Sequence, residues 1–168
     1  MISSRSIHGL FLALCMSLMV SACAQEKPPA GKADARGTAG PDTPLDSIVL
    51  GMGCFWGAER RMSEIPGVVD VESGYANGEI EGSYQAVLAH ERKVRMGLSE
   101  KRNHAEVVKV SFDPTRTSLE KVLIGFWENH DPTQGDRQGN DVGSNYRSAI
   151  YTNDDAQLAV AQRTREVY

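Results

Sequence analysis

Cys54 is the residue of this 168-residue sequence whose type and position could most readily do chemistry. The sequence has three cysteines, and Cys15 and Cys23 both lie in an N-terminal stretch that does not read as part of a folded domain. Cys54 therefore has no partner for an intramolecular disulfide in the predicted folded part. A lone cysteine in an oxidising compartment is either buried and inert or present because its thiol reacts, and the count alone leaves both open.

The sequence around Cys54 favours a reactive thiol. Residues 48–50 are a short apolar strand signal, and the glycines of residues 51–53 allow a tight turn. Cys54 then opens a segment that ends at Pro66-Gly67 and whose apolar residues recur at helical spacing, namely Phe55, Ala58, Met62 and Ile65. At a helix N-terminus, free N–H groups and the helix dipole stabilise a thiolate. The sequence thus predicts a nucleophile on a strand–turn–helix elbow.

The elements that must position this elbow follow from the periodicity of the remaining chain. Residues 68–73 are a predicted strand, residues 108–112 alternate between apolar and polar in a second, and residues 146–151 are a third. Residues 117–120 have capping-box spacing ahead of a helical apolar stripe that includes Trp127, and another helix starts near Asp154. Residues 133–145 form a polar loop. The order β-α-β-β-α-β-α predicts an α/β domain, a two-layer sandwich with a mixed sheet.

The N-terminal residues are predicted to direct export. Arg5 precedes an apolar run over residues 10–20, too short to span a bilayer comfortably, so residues 1–22 are predicted to be a signal peptide. The run closes on Val20-Ser21-Ala22-Cys23, which resembles the lipobox of bacterial lipoproteins, in which the cysteine is acylated. Residues 23–46 then form a lipid-anchored or flexible linker, and residues 47–168 the folded domain. An ordinary signal peptide, cut near Ala22 or Ala24, is the alternative.

These features predict an exported protein, periplasmic or in the cell envelope and held on a membrane by lipid at Cys23. The formal net charge of −4 provides no broad positive field, which argues against a nucleic-acid partner.

A set of motifs resembles the A-type peptide methionine sulfoxide reductases over residues 48–168. The most specific is Gly53-Cys54-Phe55-Trp56-Gly57-Ala58-Glu59, and further matches follow in the family's order: Gly74-Tyr75, His104-Ala105-Glu106, His130-Asp131-Pro132, Gln138-Gly139-Asn140-Asp141 and Tyr146-Arg147-Ser148-Ala149-Ile150-Tyr151. The resemblance implies an α+β plait, no bound cofactor or metal, and thiol-dependent reduction of methionine S-sulfoxide, free or in proteins, for the repair of oxidised proteins under oxidative stress.

The resemblance also implies residue roles. Cys54 attacks the sulfoxide sulfur and becomes a sulfenic acid, while Glu106 protonates the departing oxygen and should therefore lie in a dry pocket close to Cys54. The resemblance further implies five substrate-binding residues. Phe55 and Trp56 form an apolar wall for the methyl group, Tyr84 and Tyr146 donate hydrogen bonds to the sulfoxide oxygen, and Asp141 supports the network around that oxygen. Tyr75, His104 and His130 are predicted to be structural.

The sequence departs from the family pattern in several places. Ala76-Asn77-Gly78 replaces a glycine pair, a mild change because asparagine tolerates left-handed backbone. Glu81-Gly82-Ser83 precedes Tyr84, and residues 91–103 are longer and more charged than is usual. Relatives usually continue past Tyr168 to resolving cysteines, which suggests a fragment. Within the given sequence, recycling of Cys54 would need thioredoxin or a small thiol reductant.

Other classes of protein remain open. A cysteine hydrolase would pair Cys54 with His104 or His130. A metal site could combine Cys54, His104, Glu106 and His130, although the paired ligand spacing typical of such sites is absent. A lipid-anchored binding module with a structural cysteine is the non-enzymatic alternative. Exposure to an oxidised peptide separates the classes, since a reductase removes one oxygen, a hydrolase cleaves and a binding module changes nothing.

Overall fold

The computed structural model describes residues 44–168. The predicted signal peptide, the lipidation of Cys23 and nearly all of the predicted linker lie outside the described residues. The first strand begins at Asp46, which was predicted to be the last residue of that linker. No helix within residues 44–168 is long and apolar enough to cross a membrane.

Six strands and four helices make up the described chain, with one short 3-10 turn. The strands are β1 Asp46–Met52, β2 Val68–Ala76, β3 Ala105–Phe112, β4 Arg137–Gln138, β5 Asp141–Val142 and β6 Ser148–Tyr151. The helices are α1 Phe55–Ser63, α2 Tyr84–Arg95, α3 Leu119–Glu128 and α4 Asp155–Val167, and the 3-10 turn spans Ser144–Tyr146.

The main sheet has the strand order β2-β3-β1-β6, and each neighbouring pair is antiparallel. The predicted mixed strand directions are therefore wrong for residues 44–168. Strands β1 and β2, joined through α1, run the same way, but β3 lies between them and is antiparallel to both. A crossover through a helix thus does not by itself produce a parallel neighbour. The α/β fold class, with helices packed on one sheet, is confirmed.

The core lies between the sheet and helices α1, α3 and α4. It is built from apolar side chains of all these elements, including Ile48, Leu50, Met62, Val108, Val110, Phe112, Leu123, Phe126 and Ala161. The alternation predicted for residues 108–112 is confirmed, since Val108, Val110 and Phe112 face this core while Lys109 is exposed. Trp127 packs edge-on against Phe126, as expected of a core residue.

Helix α2 has no counterpart in the elements predicted from the sequence. Its buried positions are Val87, His90 and Glu91, at the i, i+3 and i+4 spacing of one helix face, but two of the three are polar. The sequence of this segment therefore lacks the apolar period that would predict a helix.

Polar residues cap the N-termini of α2 and of two other helices. The side chains of Ser83, Ser118 and Asp154 accept hydrogen bonds from backbone N–H groups in the first turn of α2, α3 and α4, respectively.

Candidate active site

Cys54 lies at the N-cap of α1, where strand β1 turns into the helix. Gly53 makes this turn with a φ of +89°, and a Cβ built at Gly53 would come within 2.7 Å of the Gln138 side chain. A glycine is thus required both by the backbone conformation and by the close approach of the 133–145 segment. The Cys54 side chain makes no capping hydrogen bond and is partly exposed. Its sulfur is available at the positive end of the helix.

Glu106 is buried next to this helix start. It is 2% exposed and follows the same face of β3 as Val108 and Val110. Its Oε2 accepts a hydrogen bond from the Phe55 backbone N–H at 3.2 Å, and its Oε1 accepts one from the Asn145 side-chain amide at 3.3 Å. Since Phe55 directly follows Cys54, the carboxyl satisfies a free N–H of the first turn one residue from the thiol.

The surroundings of Glu106 favour its protonated form. Burial raises the pKa of this carboxyl above its ordinary value, and the nearby charge of Asp141 raises it further. The hydrogen bonds from Phe55 and Asn145 oppose that rise without cancelling it. The buried placement close to Cys54 that was predicted for Glu106 is therefore observed. A carboxyl that keeps its proton to higher pH is suited to general acid catalysis.

Of the two tyrosines expected to bind oxygen, Tyr146 interacts with this carboxyl, and Tyr84 interacts with Tyr75. Tyr146 ends the 3-10 turn, and burial raises the pKa of its hydroxyl, with further contributions from Glu106, Asp141 and Cys54 against a lowering by Asn145. Tyr84 is the first residue of α2 and is 47% exposed. Asp141, in β5, is exposed and acts on both Glu106 and Tyr146 electrostatically.

Three aromatic rings form a continuous group beside the thiol. Phe55 is partly buried, and its ring centroid lies 6.1 Å from that of Trp56 and 5.5 Å from that of Tyr75. Trp56, two residues after Cys54, is 70% exposed. An exposed indole next to a partly buried phenyl ring gives an apolar surface open to solvent, as an apolar substrate group would need.

Two residues at this site were not assigned to it from the sequence. Asn145 is fully buried and donates to Glu106, and its neighbour Tyr146 in the quoted motif was the signal that could have pointed to it. Tyr75, predicted to be structural, has a buried hydroxyl close to Glu106. Its strand register with Glu106 could not be read from the sequence.

His104 and His130 lie in structural positions, as predicted. The His104 ring accepts from the Gly78 N–H at Nδ1 and contacts the Ile80 carbonyl through Nε2. The His130 ring bonds the Phe126 carbonyl and the Ser148 hydroxyl. With both ring nitrogens engaged elsewhere, neither imidazole is placed to act as a base for Cys54, which disfavours a hydrolase.

Two further features of residues 44–168 concern alternative sites, namely a metal centre and a cavity away from Cys54. No three His, Cys, Asp or Glu side chains of this part of the chain converge as metal ligands would. A cavity of about 540 Å³ lies between α3, β6 and α4, and it is lined by none of the residues predicted to act with Cys54. The residues predicted to do the chemistry thus lie at the open elbow and not in this cavity.

Glu91 of α2 holds the segment that carries Asn145 and Tyr146. Its carboxylate accepts from the Ser144 N–H at 3.0 Å, the Ser144 hydroxyl at 2.6 Å and the Asn103 amide at 2.9 Å. Burial by itself would raise the pKa of Glu91, but these hydrogen bonds and the charge of Arg95 outweigh it, so that the pKa is lowered. The ionised carboxylate is therefore part of the folded structure.

Glu91→Gln is expected to destabilise the fold by about 1–3 kcal/mol near neutral pH, because a carboxamide cannot accept from all three donors. A lowered folded pKa means that the stabilisation is full above the ordinary value of 4.5 and is lost as pH falls through the folded value. The parent should thus lose its advantage over the variant in acid. Urea unfolding across pH measures this, with the exposed Glu120→Gln as control. An equal difference at every pH would contradict the assignment.

The fold and the site define a class of α/β proteins with a thiol at a helix N-terminus and a buried carboxyl beside it. The family model described as peptide methionine sulfoxide reductase matches residues 46–168, and the chain belongs to that family.

Named relatives agree with this membership. A peptide methionine sulfoxide reductase MsrA of Salinispora arenicola is 51% identical over 121 residues, covering 71% of this chain and 50% of that protein. One of Vibrio cholerae is 45% identical over 132 residues, covering 78% of this chain and 58% of that protein. The chain thus spans about half the length of the curated relatives it matches.

Solved structures share the fold. Methionine sulfoxide reductase A of Corynebacterium diphtheriae superposes with a TM-score of 0.59 at 41% identity, over 79% of this chain and 56% of that one. Mxr1 of Saccharomyces cerevisiae in its reduced form gives a TM-score of 0.61 at 31% identity, over 77% of this chain and 71% of that one.

Proposed function

We propose that this chain reduces methionine S-sulfoxide, free or in proteins, to methionine. The single observation that carries the proposal is the buried Glu106 carboxyl, bonded to the Phe55 N–H and thus one residue from Cys54. Family membership and the names of relatives such as those of Salinispora and Vibrio support the same activity. The reaction would serve the repair of oxidised proteins.

The reaction needs a nucleophile and an acid on opposite sides of one polar bond. The Cys54 thiolate attacks the sulfoxide sulfur while Glu106 delivers a proton to the oxygen. The attack forms a bond between the two sulfurs while the S–O bond of the substrate breaks. The departing hydroxide, or a water molecule in its place, then attacks the Cys54 sulfur and breaks the sulfur–sulfur bond, which leaves Cys54 as a sulfenic acid and releases methionine as a thioether. Cys54 is oxidised by two electrons and the substrate sulfur is reduced by two.

The remaining residues would select and orient the substrate. Phe55 and the exposed Trp56 offer the apolar surface on which the terminal methyl group packs. Tyr84 and Tyr146 can donate hydrogen bonds to the sulfoxide oxygen, since a neutral phenol is a donor without being a charge. Asp141 supports the protonated state of Glu106 through its negative charge.

Regeneration would use an external reductant. Two thiols reduce the sulfenic acid, giving back the Cys54 thiol, one disulfide and water. Among residues 44–168, Cys54 is the only cysteine, so a resolving thiol within this segment is not available. The donor is proposed to be a thioredoxin-like protein or a small thiol, which attacks the partly exposed sulfur directly.

The experiment that tests the function compares two substrates that differ only at the sulfur centre. The 168-residue protein is incubated with dithiothreitol and peptides carrying the S or the R sulfoxide, and the products are weighed by mass spectrometry. The S peptide should lose one oxygen and the R peptide should persist. Cleavage of the peptide would favour the hydrolase, and unchanged peptides would favour a binding module.

Export and lipid anchoring are a second part of the proposal. They rest on the apolar run of residues 10–20 and on the lipobox-like Val20-Ser21-Ala22-Cys23. Acylation at Cys23 would hold the domain at a membrane in the cell envelope, with the Ala-, Gly- and Pro-rich residues 24–45 as a tether.

Cys23→Ala is expected to abolish lipidation in a bacterium that processes lipoproteins. The parent should sediment with membranes and carry hydrocarbon mass on its N-terminal peptide, because a diacylated residue partitions strongly into lipid. Cell fractionation and mass spectrometry of that peptide measure the effect. Cys15→Ala is the matched control and should remain lipidated. An unmodified, freely soluble N-terminus of the parent would replace the anchor with simple secretion.

A further inference from the structure

Tyr75 lies directly across the sheet from Glu106. In the antiparallel pair of β2 and β3, Val71 is opposite Val110, Ser73 is opposite Val108 and Tyr75 is opposite Glu106. Side chains of directly opposed residues point to the same face of a sheet and start roughly 5 Å apart. Val108 and Val110 face the core, so the phenol and the carboxyl both leave the sheet on the side that α1 covers.

The Tyr75 ring is held in place by its neighbours. Its centroid lies 5.5 Å from that of Phe55, whose N–H donates to Glu106, and 6.4 Å from that of His104. The His104 ring is itself fixed by the Gly78 N–H and the Ile80 carbonyl. The Tyr75 ring therefore lies between Phe55, at the start of α1, and the hydrogen-bonded His104 ring. These two contacts limit the directions in which the Tyr75 hydroxyl can point.

The Tyr75 hydroxyl is buried and has no hydrogen-bond partner among residues 44–168. A phenylalanine would pack the same way without burying an unpaired polar group, so the oxygen costs stability in the resting structure. Burial raises the pKa of this phenol to about 12, with further contributions from Glu106, Tyr84, Tyr146 and Cys54. Tyr75 thus stays neutral and keeps its proton available as a donor throughout the physiological range.

Glu106 in turn lacks enough donors for its ionised form. Once it has given up a proton, it is a carboxylate at 2% exposure with two long hydrogen bonds, from Phe55 and Asn145. The titratable groups that interact with it are Tyr75 on β2, Asp141 on β5 and Tyr146 on the 3-10 turn, and the groups next to Tyr75 are Cys54 at the elbow and Tyr84 on α2. None of these is a cation, and Asp141 repels the carboxylate.

We propose that Tyr75 is a positioning residue whose hydroxyl donates a hydrogen bond to the Glu106 carboxylate formed when Glu106 releases its proton. This inference rests on the acid role proposed above for Glu106 and extends it. A donor that stabilises the conjugate base makes the buried carboxyl a stronger acid, while burial keeps it protonated beforehand. The Tyr75 hydroxyl would thus have no hydrogen-bond partner while Glu106 is protonated, and it would gain one when Glu106 is ionised.

The test titrates Glu106 directly, without turnover. The infrared carbonyl band of protonated Glu106 is identified by its absence in Glu106→Gln and is followed across pH in the parent and in Tyr75→Phe. Losing a hydrogen bond to the charged form should move the midpoint of Glu106 upward by about one to two pH units. Tyr151→Phe, on β6, is the matched control and should leave the midpoint unchanged.

Stability provides the second arm. Tyr75→Phe removes an oxygen that has no partner while Glu106 is protonated, so the urea midpoint at a pH below the Glu106 midpoint should stay the same or rise. An unchanged or lowered Glu106 midpoint in Tyr75→Phe would overturn the inference, as would a lower urea midpoint at that acidic pH, which would give the hydroxyl a structural partner. If Tyr75→Phe did not fold, ¹³Cζ-tyrosine resonances of the parent would decide, because the Tyr75 signal must shift as Glu106 ionises.

The two proposals fail in different ways. A parent that reduces neither sulfoxide epimer counts against the proposed function, while an upward shift of the Glu106 midpoint in Tyr75→Phe would still support the contact with Tyr75. A parent that reduces the S epimer, combined with an unshifted midpoint, counts against Tyr75 alone.

Discussion

Cys54→Ser should abolish sulfoxide reduction, lowering turnover by more than about a hundredfold, the scale seen when a catalytic nucleophile is removed. A serine hydroxyl is almost wholly protonated near neutral pH and is a far weaker nucleophile than a thiolate. The fold should survive, because the Cys54 side chain is partly exposed and makes no capping hydrogen bond. Methionine formation from an S-sulfoxide peptide, measured with excess dithiothreitol, checks the result.

The matched controls for Cys54 are the other cysteines of the sequence, since Cys15→Ala and Cys23→Ala should each retain the activity of the parent. In a single turnover without added thiol, the parent should release about one methionine per chain and leave a sulfenic acid on Cys54, which dimedone traps. Cys54→Ser with more than about a tenth of the parent's activity would remove Cys54 from the role of nucleophile.

Glu106→Gln should slow this single-turnover burst by about a hundredfold or more, the usual scale for general acid catalysis. Glutamine keeps the shape and an acceptor for the Phe55 N–H, but it has no proton to transfer. The difference from the parent should shrink as pH falls, because protonation from solvent substitutes for the missing acid. Rapid-quench measurement of methionine across pH checks the effect. Glu64→Gln, exposed at the end of α1, is the control.

Stability and rate should respond to Glu106→Gln in opposite directions. A carboxyl whose folded pKa is raised contributes stability below its ordinary value of 4.5, and this is lost as pH rises through the folded value. At neutral pH the neutral glutamine should therefore fold at least as stably as the parent. A normal burst in Glu106→Gln would instead transfer the role of acid to a tyrosine, with Tyr146 the first candidate because it shares the site.

Local sequence was sufficient for the elbow that carries Cys54. An apolar strand, a glycine turn and a helical period meet within about ten residues, so no distant contact is needed to place the thiol at a helix N-terminus. The same holds for Asn77, whose φ of +58° is the left-handed conformation expected where the family has glycine. It also holds for α4, which begins at Asp155 behind the Asp154 cap, where a helix start was predicted.

Helix α2 and the strand directions show where local patterns fail. The buried face of α2 includes His90 and Glu91, which are stable there only because Lys101, Asn103 and Ser144 supply hydrogen bonds from other parts of the chain. Strand direction likewise depended on β3 inserting between β1 and β2, a pairing between segments far apart in sequence. Neither fact has a signature within a short window.

The sequence by itself determined the strand–turn–helix elbow that carries Cys54, because hydrophobic period is a local property, and its motifs carried the resemblance to the family, which implies the roles of Cys54 and Glu106. The tertiary structure alone decided how these residues meet. The β2–β3 register sets Tyr75 opposite Glu106, and the return of residues 143–146 brings Asn145 onto the same carboxyl. Such contacts join segments separated by some thirty to forty residues. Their free energies become favourable only once the whole sheet has formed and its packing has excluded water.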